Sequence, residues 1–116
     1  ITCMEKHYYP KKGEIIWCKL DPIAGHEQAG TRPCLVISGS IFNVKTGLAV
    51  VCPLTSSKKE AYYFRTEVKT SKIKGFIMVD QLRTIDWSKR FIKTNGQIPS
   101  GVLSEVYKKI KILFGD

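Results

Sequence analysis

The residue types best suited to chemistry gather in one segment, Asp21-Pro22-Ile23-Ala24-Gly25-His26-Glu27-Gln28-Ala29-Gly30-Thr31-Arg32. It places an imidazole, a carboxylate, an amide and a guanidinium between glycines. The segment joins two apolar runs and is long for such a connection, where about two to five residues are usual. Loops carried on rigid sheets are common places for sites. A polar surface loop is the competing reading. The group types suit phosphoryl transfer on RNA, which carries its own nucleophile, the 2′-hydroxyl, beside each phosphate. Cleavage there needs a base for that hydroxyl, an acid for the leaving 5′-oxygen and positive charge for the phosphorane oxygens. His26, Glu27 and Arg32 supply all three without a metal. An ordinary histidine titrates near ~6.5 and can serve as acid or base.

A second stretch, Lys58-Lys59-Glu60-Ala61-Tyr62-Tyr63-Phe64-Arg65, mixes basic and aromatic residues. Single strands favour such mixtures, because bases stack on rings while lysines follow phosphates. Lys69, Lys72 and Lys74 extend the basic character. The alternative is that Tyr62 and Phe64 face a core and the lysines are only solvated. Trp17 and Trp87 read as packing residues. Cys18, Cys34 and Cys52 fall inside apolar runs and read as buried, reduced thiols of a cytoplasmic protein. Four cysteines without a C-x-x-C pair, and two histidines, do not make a zinc pattern.

The elements that must position these groups are mostly strands. Ile15-Ile16-Trp17-Cys18-Lys19-Leu20 is β-branched and aromatic, and Asp21-Pro22 ends it. Further strands are expected over Pro33 to Ser38, Leu48 to Leu54, Tyr62 to Lys69, Gly75 to Leu82 and Phe91 to Ile98. A short helical turn is expected around Phe42-Asn43. One long helix stands out, with Val102, Leu103, Val106, Ile110, Leu113 and Phe114 on one face. Ser100 is its expected N-cap and Gly115 its C′ residue. Five or six short antiparallel strands and a terminal helix predict a mainly β fold, a small, strongly bent sheet or barrel.

The length of 116 residues predicts one domain, residues 1–116, with 1–11 as a loose lead-in. A hydrophobic fraction of 43% and a charged fraction of 25% exclude disorder and collagen. No apolar run approaches the ~18 residues of a membrane span. The net charge is +9, lying mostly after residue 57, and favours a polyanionic partner.

The ordered string Gly13-Glu14-Ile15-Ile16-Trp17, Asp21-Pro22 and Gly25-His26-Glu27-Gln28-Ala29-Gly30-Thr31-Arg32-Pro33 resembles the start of the MazF/PemK (Kid) toxins. Val51-Cys52-Pro53-Leu54-Thr55-Ser56 resembles their third strand, and Val79-Asp80-Gln81-Leu82-Arg83-Thr84-Ile85-Asp86 their Asp-Gln … Ile strand. The resemblance spans roughly residues 10–115. It implies an SH3-like barrel and a sequence-specific, metal-independent endoribonuclease of single-stranded mRNA, leaving a 2′,3′-cyclic phosphate and a 5′-hydroxyl. It implies no cofactor, a homodimer, a cognate antitoxin with an acidic, partly disordered segment, and contact with operator DNA only through that antitoxin.

Residue by residue, Arg32 and Thr55 match the MazF-branch catalytic pair, Glu27 the loop glutamate, His26 the phosphate-binding histidine of the PemK/Kid branch and Asp80 that branch's proposed base. RNA binding is expected at Gln28, Ser56, Ser57, Lys58, Lys59, Arg65 and Gln81. Met78 stands where the PemK/Kid branch has a catalytic arginine, which favours the Arg32–Thr55 pairing. A non-enzymatic CcdB-like toxin and an SH3-like nucleic-acid-binding module are the alternatives. The ending Ile112-Leu113-Phe114-Gly115-Asp116 lacks the tryptophan of the former.

Overall fold

The apolar runs at 15–20 and 48–54, buried on both faces, anchor a seven-stranded antiparallel sheet in the computed structural model, which describes residues 8–20, 30–58 and 62–115. The strands are β1 (Glu14–Leu20), β2 (Gly30–Val36), β3 (Leu48–Thr55), β4 (Arg65–Lys69), β5 (Lys74–Met78), β6 (Arg83–Asp86) and β7 (Phe91–Gln97). Among the described residues the helices are α1 (Ser40–Thr46), α2 (Trp87–Arg90) and α3 (Ser100–Leu113). The strand order is β4-β5-β3-β2-β1-β7, with β6 also paired to β3. The outer half of β3 therefore pairs with β5 through Leu54 and Thr55, and the inner half with β6 through Leu48 to Val51. The resulting bend is what a small barrel needs to close.

Two cores lie on opposite faces of this sheet. Ile15, Leu35, Cys52, Leu54, Val68, Ile77 and Val79 form one, and α3 covers it with Val106 fully buried and Val102, Leu103 and Ile110 packed beside it. Ile16, Cys18, Leu20, Cys34, Val36, Ala49, Val51 and Ile85 form the other, under Trp87 and Phe91. Truncating Val106 to alanine removes buried apolar surface and costs about 2 kcal/mol. Tyr107 fastens the same helix by donating its hydroxyl to the Ile37 carbonyl.

Asn43 pins α1 from inside. Its side-chain amide donates to Pro10 O at 2.8 Å and Ser38 O at 3.2 Å, and its own carbonyl accepts from Trp87 Nε1 at 2.9 Å. Gly47 ends α1 at φ 74°, a left-handed position that glycine fills without cost. Of the expected lead-in, residues 8–11 pack on the sheet. The Tyr8 ring stacks on Phe91 at 4.5 Å, and Glu14 accepts from the Tyr8 hydroxyl and the Lys11 N–H.

Several boundaries differ from the sequence expectation. The run Gly75 to Leu82 is not one strand: β5 stops at Met78, and a 3₁₀ turn over Val79–Gln81 redirects the chain into β6. Burial of Ile77, Met78 and Val79 leaves no alternation to mark the corner. This corner accounts for a seventh strand where five or six are expected. β4 begins only at Arg65, because residues 62–64 form a turn closed by Arg65 N–H donating to Tyr62 O. β2 begins at Gly30, since Gly30, Thr31 and Arg32 pair with Leu20, Lys19 and Cys18 despite their polarity. Pro99, not Ser100, is the N-cap of α3, and no side chain caps it.

The thiols of Cys18, Cys34 and Cys52 are free and buried. A hydrogen bond with Cys18, then burial, pushes the Cys34 thiol far up, and burial pushes Cys52 up to about 12. Such thiols are poor nucleophiles.

Candidate active site

The ends of β2 and β3 meet at a groove of about 350 Å³ lined by Trp17, Thr31, Arg32, Pro33, Leu54, Thr55, Ser56, Lys72, Ile73, Lys74 and Asn95. Sheet register explains why Arg32 and Thr55 meet there. Cys34 pairs with Pro53, and carrying that register outward sets Arg32 across from Thr55. The Arg32 guanidinium donates to the Leu54 carbonyl at 3.4 Å, which holds its fork beside the strand end. Thr55 closes a hydroxyl turn: its Oγ1 accepts from Ser57 N–H at 3.2 Å. The hydroxyl hydrogen remains available to donate. A guanidinium and a hydroxyl so placed suit two oxygens of one phosphate.

The β4–β5 connection brings positive charge to the same rim. Thr70 Oγ1 accepts from Lys72 N–H at 3.2 Å and Ile73 N–H at 3.0 Å, while Thr70 N–H donates to Ile73 O at 2.7 Å. This turn presents Lys72 and Lys74, both exposed, to the groove. Gly75 follows, and its missing side chain lets β5 approach the Thr55 carbonyl.

A second groove of about 290 Å³ runs on from the first, sharing Ser56 and Lys74 and adding Lys58, Glu67, Val68, Lys69, Gly75 and Phe76. Ser56 and Lys58 thus lie along the continuous basic surface. Ser57 sits at the Thr55 turn. Trp17, expected only to pack, forms part of the first wall, because it lies on β1 opposite Pro33.

Asp80, Arg65 and Gln81 line neither groove. Asp80, in the 3₁₀ turn, accepts from the Tyr62 hydroxyl and forms an ion pair with Arg65. The Arg65 guanidinium stacks on the Tyr62 ring at 4.7 Å. The bond to Asp80 raises the Tyr62 hydroxyl above its usual range. Arg65 stands directly opposite Met78, so the neighbouring strand supplies Asp80 with the guanidinium that position 78 lacks. Tyr62 and Tyr63 are about half exposed, and Phe64 packs on the first core. His26, Glu27, Gln28 and Lys59 lie outside the described residues. Leu20 and Gly30, paired in register, bring the two ends of the 21–29 segment together beside Thr31 and Arg32. The value of Trp17, Phe76 and Glu67 had no sequence signal, because it depends on which strands become neighbours.

A bent antiparallel sheet with a terminal helix and a lysine-rimmed groove that holds Arg32 and Thr55 defines a class of small barrel proteins. Residues 11–114 match the family described as PemK-like, MazF-like toxin of type II toxin-antitoxin system, and the chain belongs to this family of endoribonuclease toxins. The endoribonuclease toxin MazF of Escherichia coli K12 is 34% identical over 112 residues, covering 97% of this chain and all of that protein. The crystal structure of MazF from Deinococcus radiodurans superposes with a TM-score of 0.85 at 36% identity, covering 94% of this chain and 99% of that one. A MazE–MazF structure from the same organism gives 0.79 at 36% identity over 93% and 97%. The SH3-like, mainly β fold expected from the sequence holds. Among the described residues no helix is long and apolar enough to cross a membrane.

Proposed function

We propose that this chain cleaves single-stranded mRNA at specific sequences, without a metal, by attack of the 2′-hydroxyl on its own phosphodiester. The observation that carries the reading is the placement of Arg32 beside Thr55 at the mouth of a lysine-rimmed groove. The 2′-oxygen bonds to phosphorus and the bond from phosphorus to the 5′-oxygen breaks. Glu27 takes the proton from the 2′-hydroxyl, and His26 returns one to the leaving 5′-oxygen. The products are a 2′,3′-cyclic phosphate and a 5′-hydroxyl.

Arg32 stabilises the charge that grows on the phosphorane oxygens, and it stays protonated at any working pH. Thr55 donates its hydroxyl to the same phosphate. Lys58, Ser56, Ser57, Gln28 and Lys59 hold flanking nucleotides. Arg65 and Gln81 contact the strand further along, with Asp80 positioning Arg65.

The protein works as a homodimer in the cytoplasm, silenced by an antitoxin through an acidic segment that folds on binding. The exposed Ile41 and Val44 on α1 and Ile112 and Phe114 at the end of α3 support an interface. The net charge of +9 supports an acidic partner.

The test is a long single-stranded RNA incubated with the protein in EDTA, with new 5′ ends mapped and Arg32→Ala alongside. Discrete cuts at a recurring motif, reduced about 10²- to 10³-fold in the variant, are expected. Absence of cutting by a folded protein overturns the reading. A binding module on this fold would instead keep most of its RNA affinity in Arg32→Ala and cut nothing.

A further inference from the structure

The groove beyond Thr55 holds a carboxylate where an unselective phosphate binder would hold none. Thr55 pairs with Phe76 across β3 and β5, and Phe76 pairs with Glu67 across β5 and β4. Paired residues on antiparallel strands point to the same face. Arg32, Thr55, Phe76 and Glu67 therefore form one row across four neighbouring strands. Adjacent strands lie ~4.8 Å apart, which sets Glu67 about 10 Å from Thr55 along that row. The second groove opens over this half of the row, with Phe76 partly exposed and Glu67 exposed. Lys58, Lys69 and Lys74 surround it. Among the described residues the Glu67 carboxylate makes no hydrogen bond or ion pair, despite these three cations.

We propose that Phe76 and Glu67 form a base-reading subsite, next to the scissile phosphate, that accepts an amino-bearing base and rejects uracil. The inference rests on the ribonuclease reading above. Phe76 offers a ring on which a base stacks, a contact indifferent to base identity. Glu67 has only acceptors to offer. Adenine, cytosine and guanine each carry an exocyclic amino group that donates to a carboxylate. Uracil has no exocyclic amino group: its one Watson–Crick donor, N3–H, is flanked on both sides by carbonyl oxygens that repel the carboxylate. The lysines then hold the phosphates on either side. An acidic peptide would gain from the lysines but meet repulsion at Glu67, so the carboxylate favours a nucleic acid as occupant.

The test compares wild type, Glu67→Gln and Phe76→Leu in two assays. The first maps cleavage sites on a randomised single-stranded RNA. The second measures binding of 2′-O-methyl oligonucleotides of A, C or U tracts by fluorescence anisotropy. The wild type should disfavour uracil about tenfold at one position of the motif. Glu67→Gln, whose amide can also donate to a carbonyl, should accept uracil there and keep the other preferences. Phe76→Leu should weaken binding of all three tracts alike. Identical preferences in wild type and Glu67→Gln at every position, or a uniform loss across all sites, overturns the subsite. A wild type that discriminates A and C tracts from U tracts without cutting RNA keeps the subsite and sinks the ribonuclease reading. A wild type that cuts RNA with no position sensitive to Glu67 does the reverse.

Discussion

Gly75 lies under Thr55 so closely that a Cβ on it would stand 2.7 Å from the Thr55 carbonyl oxygen. Real side chains do not tolerate that approach to rigid backbone, so the strand must shift if one is added. The absence of a side chain at residue 75 thus sets how closely β5 lies against the Thr55 backbone, and with it the position of residue 55. Gly75→Ala should cost about 1–3 kcal/mol of stability, as overpacking does. It should also lower kcat of RNA cleavage by tenfold or more, since about 1 Å of misplacement is enough for losses of that order or larger. Urea midpoints and single-turnover rates measure the two effects. A variant that is destabilised yet cleaves at the wild-type rate would show that the position of Thr55 does not matter.

Thr55 itself carries a second expectation. Its Oγ1 does structural work for Ser57 N–H and leaves one hydrogen to donate. Thr55→Val keeps the shape and removes both roles, whereas Thr55→Ser keeps both. Single-turnover rates should fall at least about tenfold for valine and stay near wild type for serine. The local turn is exposed, so the valine variant should lose only about 1 kcal/mol of stability. Equal rates for valine and serine would remove Thr55 from the chemistry.

The sequence made this site partly legible, and the reason is local. Arg32 and Thr55 sit in ordered strings that carry a family resemblance, and their pairing emerges once β2 and β3 are neighbours. β1 and β3 were readable because Ile15 to Leu20 and Leu48 to Leu54 are dense apolar runs bounded by turn residues. The corner at Val79–Gln81 was not, since residues buried on both sides of a bend look like a continuing strand. Lys109 shows the same limit on a helix. It is buried against the Tyr63 ring and donates to Arg65 O at 3.4 Å, although its charge assigns it to the solvent face. A long side chain can bury its stem while its ammonium finds a ring and a carbonyl. Glu67 and Phe76 were invisible as a pair because eight residues separate them and only the hairpin register joins them.

Acid stability offers an independent check on the α2 corner. Asp86 caps α2, accepting from Ser88 N–H at 3.1 Å and from the Ser88 hydroxyl. The Ser88 hydroxyl bond, above all, holds the Asp86 carboxyl below its ordinary value of 3.8. The folded state therefore releases this proton more readily than the unfolded one. Its contribution is present above pH 3.8 and is lost as the pH falls below that value. Thermal melts of wild type and Asp86→Asn between pH 2 and 7 should show a gap in Tm at neutral pH that narrows in acid. A gap constant with pH would mean that the charge of Asp86 plays no part.

Asp80 is the residue on which the two branches of the family pull apart. As a proton acceptor it would have to face the scissile phosphate. The structure instead gives its oxygens to Tyr62 and Arg65, and it lines neither groove. A carboxylate that holds a guanidinium and a phenol is committed to them. Its loss should loosen the arginine more than it disables proton transfer. Asp80→Asn should therefore raise KM for RNA while lowering kcat by less than about tenfold. Arg65→Lys should raise KM in the same way, because an ammonium cannot stack on Tyr62 and reach Asp80 together as the planar fork does. Arg32→Ala should instead lose about 10² to 10³ in kcat. The pH–rate profile separates the cases further: its acidic limb, which reports deprotonation of the base, stays in place in Asp80→Asn when the base is Glu27 and vanishes when the base is Asp80. A kcat loss in Asp80→Asn as deep as that of Arg32→Ala, with the acidic limb gone, would move the catalytic base from the 21–29 segment to the 3₁₀ turn.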